Sequence, residues 1–235
     1  MTFLLALWLF AVSSSRAGEI NKKQDHQAAF PPLPLLDTRA DLGDVLEREN
    51  KTVGVELGVQ RGEFAAEVLS RWPKCRKYYL VDLWTHQDNY NDTANVATDA
   101  QEAYMNEAKD KLRHWQDKTV WMRMLTSDAA REIPDNSVDF VYIDARHDYC
   151  GVSEDLSLYW PKLRVGGIMA GHDYLTDTEM KDIQPHTDWS LCSDGTRHSG
   201  AVKKAVSDFV RSHNLTVVST KPQKWKNPSF ATRKV

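Results

Sequence analysis

Residues 142–149 read Tyr-Ile-Asp-Ala-Arg-His-Asp-Tyr, and residues 169–174 read Met-Ala-Gly-His-Asp-Tyr. Each stretch closes a short apolar run, residues 138–143 and 167–170, of the kind that forms a buried strand. Neighbouring strands of a parallel sheet lie about 4.8 Å apart, so the two ends stand side by side and place Asp144 and Asp173 in one crevice. Two carboxylates so placed can hold a hard cation such as Mg²⁺. Such a cation lowers the pKa of a bound hydroxyl and orients it. The competing reading is that one acid caps and the other orders a loop. His147 follows Asp144 by three positions. Its unperturbed pKa of about 6.5 suits a general base acting on a hydroxyl. A purely structural histidine is the alternative.

A second set of residues precedes these. The run at residues 52–57 ends in Glu56-Leu57-Gly58, and Gly62 follows. Glycines let a backbone turn tightly and approach a ligand closely. The spacing is G-x-x-x-G, not the G-x-G-x-x-G of dinucleotide folds. An ordinary strand-to-helix turn competes with a binding role. Asp82 closes the next apolar run, residues 77–82, where an acid can accept both ribose hydroxyls of an adenosine. Asp128 follows a third run, residues 120–125, where it can reach an adenine amino group or cap the helix after it. Three such features in order, at the ends of successive strands, point to an adenosine-bearing cofactor.

Positioning these residues requires strands alternating with helices. Helical spacing covers residues 38–49, 62–72, 100–115, 149–163 and 200–213, and further strands fall at 215–219 and 229–233. The pattern predicts an α/β fold: a Rossmann-like, doubly wound, mainly parallel sheet of about seven strands with helices on both faces. Residues 85–99 and 174–199 break the alternation. Both follow strand C-termini, where such sheets bind ligands, and read as substrate-side lids.

The order Glu56-Leu57-Gly58, Asp82, Ser127-Asp128 resembles class I S-adenosylmethionine-dependent methyltransferases over about residues 36–235. That resemblance implies that Glu56 and Gly58, with Gly62, hold the methionine end of the cofactor, Asp82 the ribose, and Ser127 with Asp128 the adenine. The Asp144-x-x-His147 and Gly171-His172-Asp173-Tyr174 pattern is similar to a subgroup that includes metal-dependent macrolide-sugar O-methyltransferases. It implies Asp144 and Asp173 as Mg²⁺ ligands and His147 as the base. His172 stands where those enzymes carry an acid. An imidazole still binds metal but favours softer ions, so the set Asp144, His172 and Asp173 leaves open which divalent ion is bound. The implied activity is O-methylation of a small-molecule or sugar hydroxyl. Two readings compete: a secreted binding protein that keeps the fold without the chemistry, and an NAD-dependent oxidoreductase, which the glycine spacing disfavours.

The chain has 235 residues, enough for one domain at 37–235. Thirty-three acidic and 30 basic residues, with no long basic run, argue against nucleic-acid binding. Residues 2–12 are apolar but too few to span a bilayer as an ordinary helix. They lead to Ser15-Arg16-Ala17, the pattern of a secretory signal peptide cut after about Ala17, with an uncleaved anchor as the alternative. Residues 18–36 form an extended, proline-stiffened lead-in. The expected destination is the secretory pathway or the extracellular space, with no stable membrane span after cleavage. Sequons at Asn50, Asn91 and Asn214 agree with a secreted glycoprotein. Cys75, Cys150 and Cys192 allow one bridge, between Cys150 and Cys192, or three free thiols.

Overall fold

The computed structural model describes residues 30–221 and 227–235. The expected signal peptide, residues 1–17, and most of the expected lead-in, residues 18–36, lie outside them. Among the described residues no helix is long and apolar enough to cross a membrane.

Seven strands form one sheet: β1 (Val53–Leu57), β2 (Lys77–Asp82), β3 (Thr119–Arg123), β4 (Val138–Ile143), β5 (Leu163–Gly171), β6 (Val217–Ser219) and β7 (Phe230–Arg233). Their order is β3-β2-β1-β4-β5-β7-β6, with β7 antiparallel to both its neighbours and the first five strands parallel. The helices are α1 (Asp41–Arg48), α2 (Glu63–Arg71), α3 (Thr98–Lys111), α4 (Thr126–Glu132), α5 (Tyr149–Tyr159), α6 (Asp177–Ile183) and α7 (Ala201–Ser212). This is the doubly wound α/β sheet that the alternation predicts.

The central strand β4 is buried along its whole length, as a parallel strand covered on both faces must be. Its side chains alternate between two cores. Val141 and Ile143 pack with α4, α5 and α7, while Phe140 and Tyr142 pack with α1 and α2. Phe64 of α2 stacks on Tyr142 at 3.5 Å, and Trp72 meets Tyr78 and Phe140 edge-on. These rings wedge α2 against the sheet and fix where the turn before it must run.

Two local expectations change. The first helix, expected from residue 38, begins at Asp41, whose carboxylate accepts from the amides of Asp37 and Thr38 ahead of it. Within residues 174–199, read as an irregular lid, the seven-residue helix α6 forms behind a capping box of Thr176 and Glu179. Cys150 and Cys192 are joined in a disulfide, and Cys75 is free and buried.

Candidate active site

β1 delivers the chain into the turn at Gly58, which has φ +85°. A side chain there would be strained, and a Cβ would lie 2.0 Å from the Asp144 carbonyl oxygen. The turn therefore presses directly on the end of β4. Its next residues hang from Asp82, whose Oδ2 accepts from the amides of Val59 (2.9 Å) and Gln60 (2.8 Å) and whose Oδ1 accepts from Trp84 (2.8 Å). Asp82 thus braces the turn, a role the sequence did not show. Burial raises its pKa and outweighs those backbone hydrogen bonds. Glu56 is only 1% exposed. Burial pushes its pKa well above the usual carboxylate range, against the hydrogen bond its Oε2 accepts from the Tyr78 hydroxyl at 3.0 Å.

A cavity of about 550 Å³ opens over the C-terminal ends of the parallel strands. Glu56, Gly58, Asp82 and Ser127 line one end of it; Asp144, His147, His172 and Asp173 line the other. Two residues named from the sequence are absent from the lining. Gly62 packs on α3, where a Cβ would touch Ala108 and Leu112 at 3.3 Å. Asp128, in the first turn of α4, pairs with Arg131 at 2.5 Å.

The pairing Ile143↔Gly171 brings the ends of β4 and β5 together. Asp144, His147 and Asp173 offer ligand atoms that all lie within 4.8 Å of one another. His172 adjoins them, its Nδ1 3.1 Å from Asp173 and 3.8 Å from Asp144. Asp173 adopts φ +54°, and Asn227 donates to its Oδ1 at 2.7 Å. Tested against a divalent cation, the donor set fits: two carboxylates supply hard oxygens, and imidazole nitrogen shifts the preference from Mg²⁺ toward softer ions.

His147 is held from both sides. Its Nε2 lies 3.1 Å from Asp173 and 3.4 Å from Asp144; its Nδ1 lies 3.0 Å from Asp92. Both ring nitrogens face carboxylates, so the doubly protonated ring satisfies the site best. Burial alone would lower its pKa, but the charge of Asp173 and hydrogen bonds to Asp144 and Asp92 leave it well above the ordinary value. The surrounding carboxylates therefore favour the protonated ring in this arrangement, and that proton must leave before His147 can act as a base.

The two insertions meet on this ring. Asp92 and Tyr90 come from residues 85–99, Trp189 from residues 174–199. The Trp189 indole donates to Asp92 Oδ2 at 2.5 Å and packs 4.7 Å from the imidazole, while the Tyr90 hydroxyl lies 3.1 Å from Nδ1. The Cys150–Cys192 bridge ties the second insertion to the start of α5, three residues past Trp189. Sequence reasoning placed both lids but missed Asp92, Tyr90 and Trp189, because no local pattern distinguishes them. It also missed Arg39, which enters the cavity from before α1.

Comparison with known proteins agrees with the fold. The family model described as a methyltransferase domain matches residues 55–174, just over half of the chain. The chain therefore belongs to the methyltransferase-domain family, as the resemblance to class I S-adenosylmethionine-dependent methyltransferases implies. No curated protein matches it in sequence. Among solved structures it is similar to an O-methyltransferase from Bacillus cereus in complex with SAH (12% identity, TM-score 0.57, covering 86% of this chain and 84% of that one). It is also similar to the O-methyltransferase TomG from Streptomyces achromogenes, involved in tomaymycin synthesis, in complex with SAM (11%, 0.56, 84% and 80%). A third is the N-methyltransferase NodS from Bradyrhizobium japonicum WM9 (13%, 0.51, 83% and 92%). At these identities the likeness is one of fold, and a fold shared by O- and N-methyltransferases does not choose the acceptor atom.

Proposed function

We propose that the protein transfers a methyl group from S-adenosylmethionine to a hydroxyl of a small molecule or sugar, with a divalent cation at the acid–histidine cluster. The observation that carries this reading is that one cavity joins the Glu56–Gly58 turn to Asp144, His147 and Asp173.

At the cofactor end, Glu56 is a buried acid with one neutral partner, and a ligand ammonium beside it would favour its charged form. Three backbone hydrogen bonds leave Asp82 about one of a carboxylate's four acceptor sites for a ribose hydroxyl, rather than capacity for two. Ser127, which lines the cavity, would face the adenine, with Asp128, paired with Arg131, next to it in the chain.

At the acceptor end, Asp144, Asp173 and His147 or His172 would hold the cation, which supplies Lewis acidity that makes a substrate hydroxyl easier to deprotonate. Asp92 and Trp189 fix the orientation of the His147 ring. Together the strand ends and lids place acceptor and cofactor in fixed relation, and positioning is the main source of rate in such transfers.

A secretory-pathway or extracellular location accompanies the reading. The Cys150–Cys192 bridge is of the kind that persists in oxidising compartments, and Asn50, Asn91 and Asn214 are all exposed.

Calorimetric titration with S-adenosylhomocysteine, with and without divalent metals, tests the proposal. Binding should raise the melting temperature, and Asp82→Ala should lose that shift because Val59, Gln60 and Trp84 lose their acceptor. The absence of a shift with any adenosine ligand would sink the cofactor assignment, and a shift with NAD alone would replace it. Asp144→Asn should abolish transfer while sparing S-adenosylhomocysteine binding; unchanged activity in that variant would remove the metal-centre reading.

A further inference from the structure

Arg39 belongs to no motif, yet its guanidinium reaches the junction of the two ends of the cavity. It lies over the Phe64 ring of α2 at 5.4 Å. Its Nε donates to Glu67 at 3.1 Å. Its NH1 stands 3.8 Å from Asp144 Oδ2, an ion pair by charge but too long for a hydrogen bond. Among the described residues the guanidinium thus makes one hydrogen bond, although it carries five N–H donors. The side chain is 24% exposed, and it lines the cavity. Burial disfavours its charge, but Tyr142, Asp144 and Glu67 more than compensate, so it stays cationic.

Glu56 lines the same end of the cavity and is close enough to feel this charge. One wall therefore presents a buried acid with an unfilled need for a cation, and near it a guanidinium fork with unused donors. That arrangement complements a zwitterionic amino acid: an ammonium for the acid, a carboxylate for the fork. We propose that Arg39 binds the carboxylate of the cofactor's methionine end, opposite Glu56 on its ammonium. The inference rests on S-adenosylmethionine being the cofactor. It assigns Arg39 as a cofactor-binding residue and makes α1's lead-in part of the site.

Titration calorimetry with two ligands tests it: S-adenosylhomocysteine, and its decarboxylated analogue, which keeps the amine and lacks only the carboxylate. Wild-type protein should prefer the complete ligand. Arg39→Gln should weaken S-adenosylhomocysteine by roughly 10- to 100-fold, the range for hydrogen bonds to charged groups. It should leave the analogue within about twofold. Arg39→Lys should fall between, because an ammonium keeps the charge without the fork. Equal loss on both ligands would mean that Arg39 only shapes the turn or balances Asp144, and no loss on either would remove it from the site; both outcomes overturn the inference. If Arg39→Gln does not fold, Arg39→Lys and the wild-type ligand preference still decide, and a wild type indifferent to the carboxylate refutes it. A wild type that binds neither ligand refutes the cofactor reading itself, which separates the two failures.

Discussion

Glu56 and Asp173 are both buried carboxylates lining one cavity, and their proton affinities move in opposite directions. Burial drives Glu56 up, and its hydrogen-bond partner is the neutral Tyr78 hydroxyl. Burial acts on Asp173 in the same sense, but His147, His172 and Asn227 reverse it and hold that acid well below the usual range. The cofactor end is built from backbone amides, one neutral hydroxyl and the nearby Arg39 guanidinium, whose charge does not offset the burial of Glu56. The acceptor end is built from side-chain charges of separate segments, and supplies its own. One half is a scaffold waiting for a cationic ligand; the other is a pre-charged cluster whose histidine must shed a proton to work.

If the two halves are held by independent means, they should fail independently. The largest effect is expected from removing the strap on the acceptor side. Cys150→Ser with Cys192→Ser opens a loop of 42 residues' separation, which loop-closure entropy values at up to about 4 kcal/mol. Urea unfolding should show that loss while S-adenosylhomocysteine affinity changes by less than about twofold. A parallel loss of affinity would show that the lids also hold the cofactor end.

The next effect sharpens the charge contrast. In metal-free protein the raised His147 stabilises the fold fully below its unfolded pKa of about 6.5, and that contribution disappears as pH rises through its folded value. Asp173 works in the other direction, stabilising above about 3.9 and failing as pH falls through its depressed value. With chelator present, wild-type stability should fall more steeply than that of His147→Gln as pH rises above about 6.5, by about 2 kcal/mol in all, the worth of a charge-assisted hydrogen bond. Identical pH slopes would show that His147 does not carry the extra proton.

The smallest effect lies at the other acid. Glu56 is raised, so it favours the fold when protonated, and this advantage is lost as pH rises from about 4.3 through its folded value. Glu56→Gln should therefore stabilise ligand-free protein at neutral pH, by about 0.5–2 kcal/mol, while weakening S-adenosylhomocysteine. A variant that binds the ligand as well as wild type would show that the acid is structural.

Much of the frame was legible because its signals are local. The mostly apolar run of β4 and the acids at the ends of β2, β4 and β5 announce a parallel sheet whose carboxylates gather at one edge. Other features were not legible, for identifiable reasons. Asp128 lies in the first turn of α4 and turns to Arg131, one helical step away. Gly62 serves the packing of α3, which no spacing around the turn reveals. The helix α6 is short and polar, too brief for a periodic pattern. His147 looked like a histidine of ordinary pKa because its carboxylate neighbour Asp92 is 55 positions away in the chain.

The residue pattern alone established the class of fold, the succession of strands and helices along the chain and the acids at the strand ends, since strand and helix periods are written within a dozen residues. Folding assigned the partners: Asp82 to the turn's amides, Asp92 and Trp189 to His147, Arg39 to the wall beside Glu56. Those pairings set the charges in the cavity. They join residues up to 97 positions apart, and distance in space, not in sequence, sets the strength of an electrostatic contact.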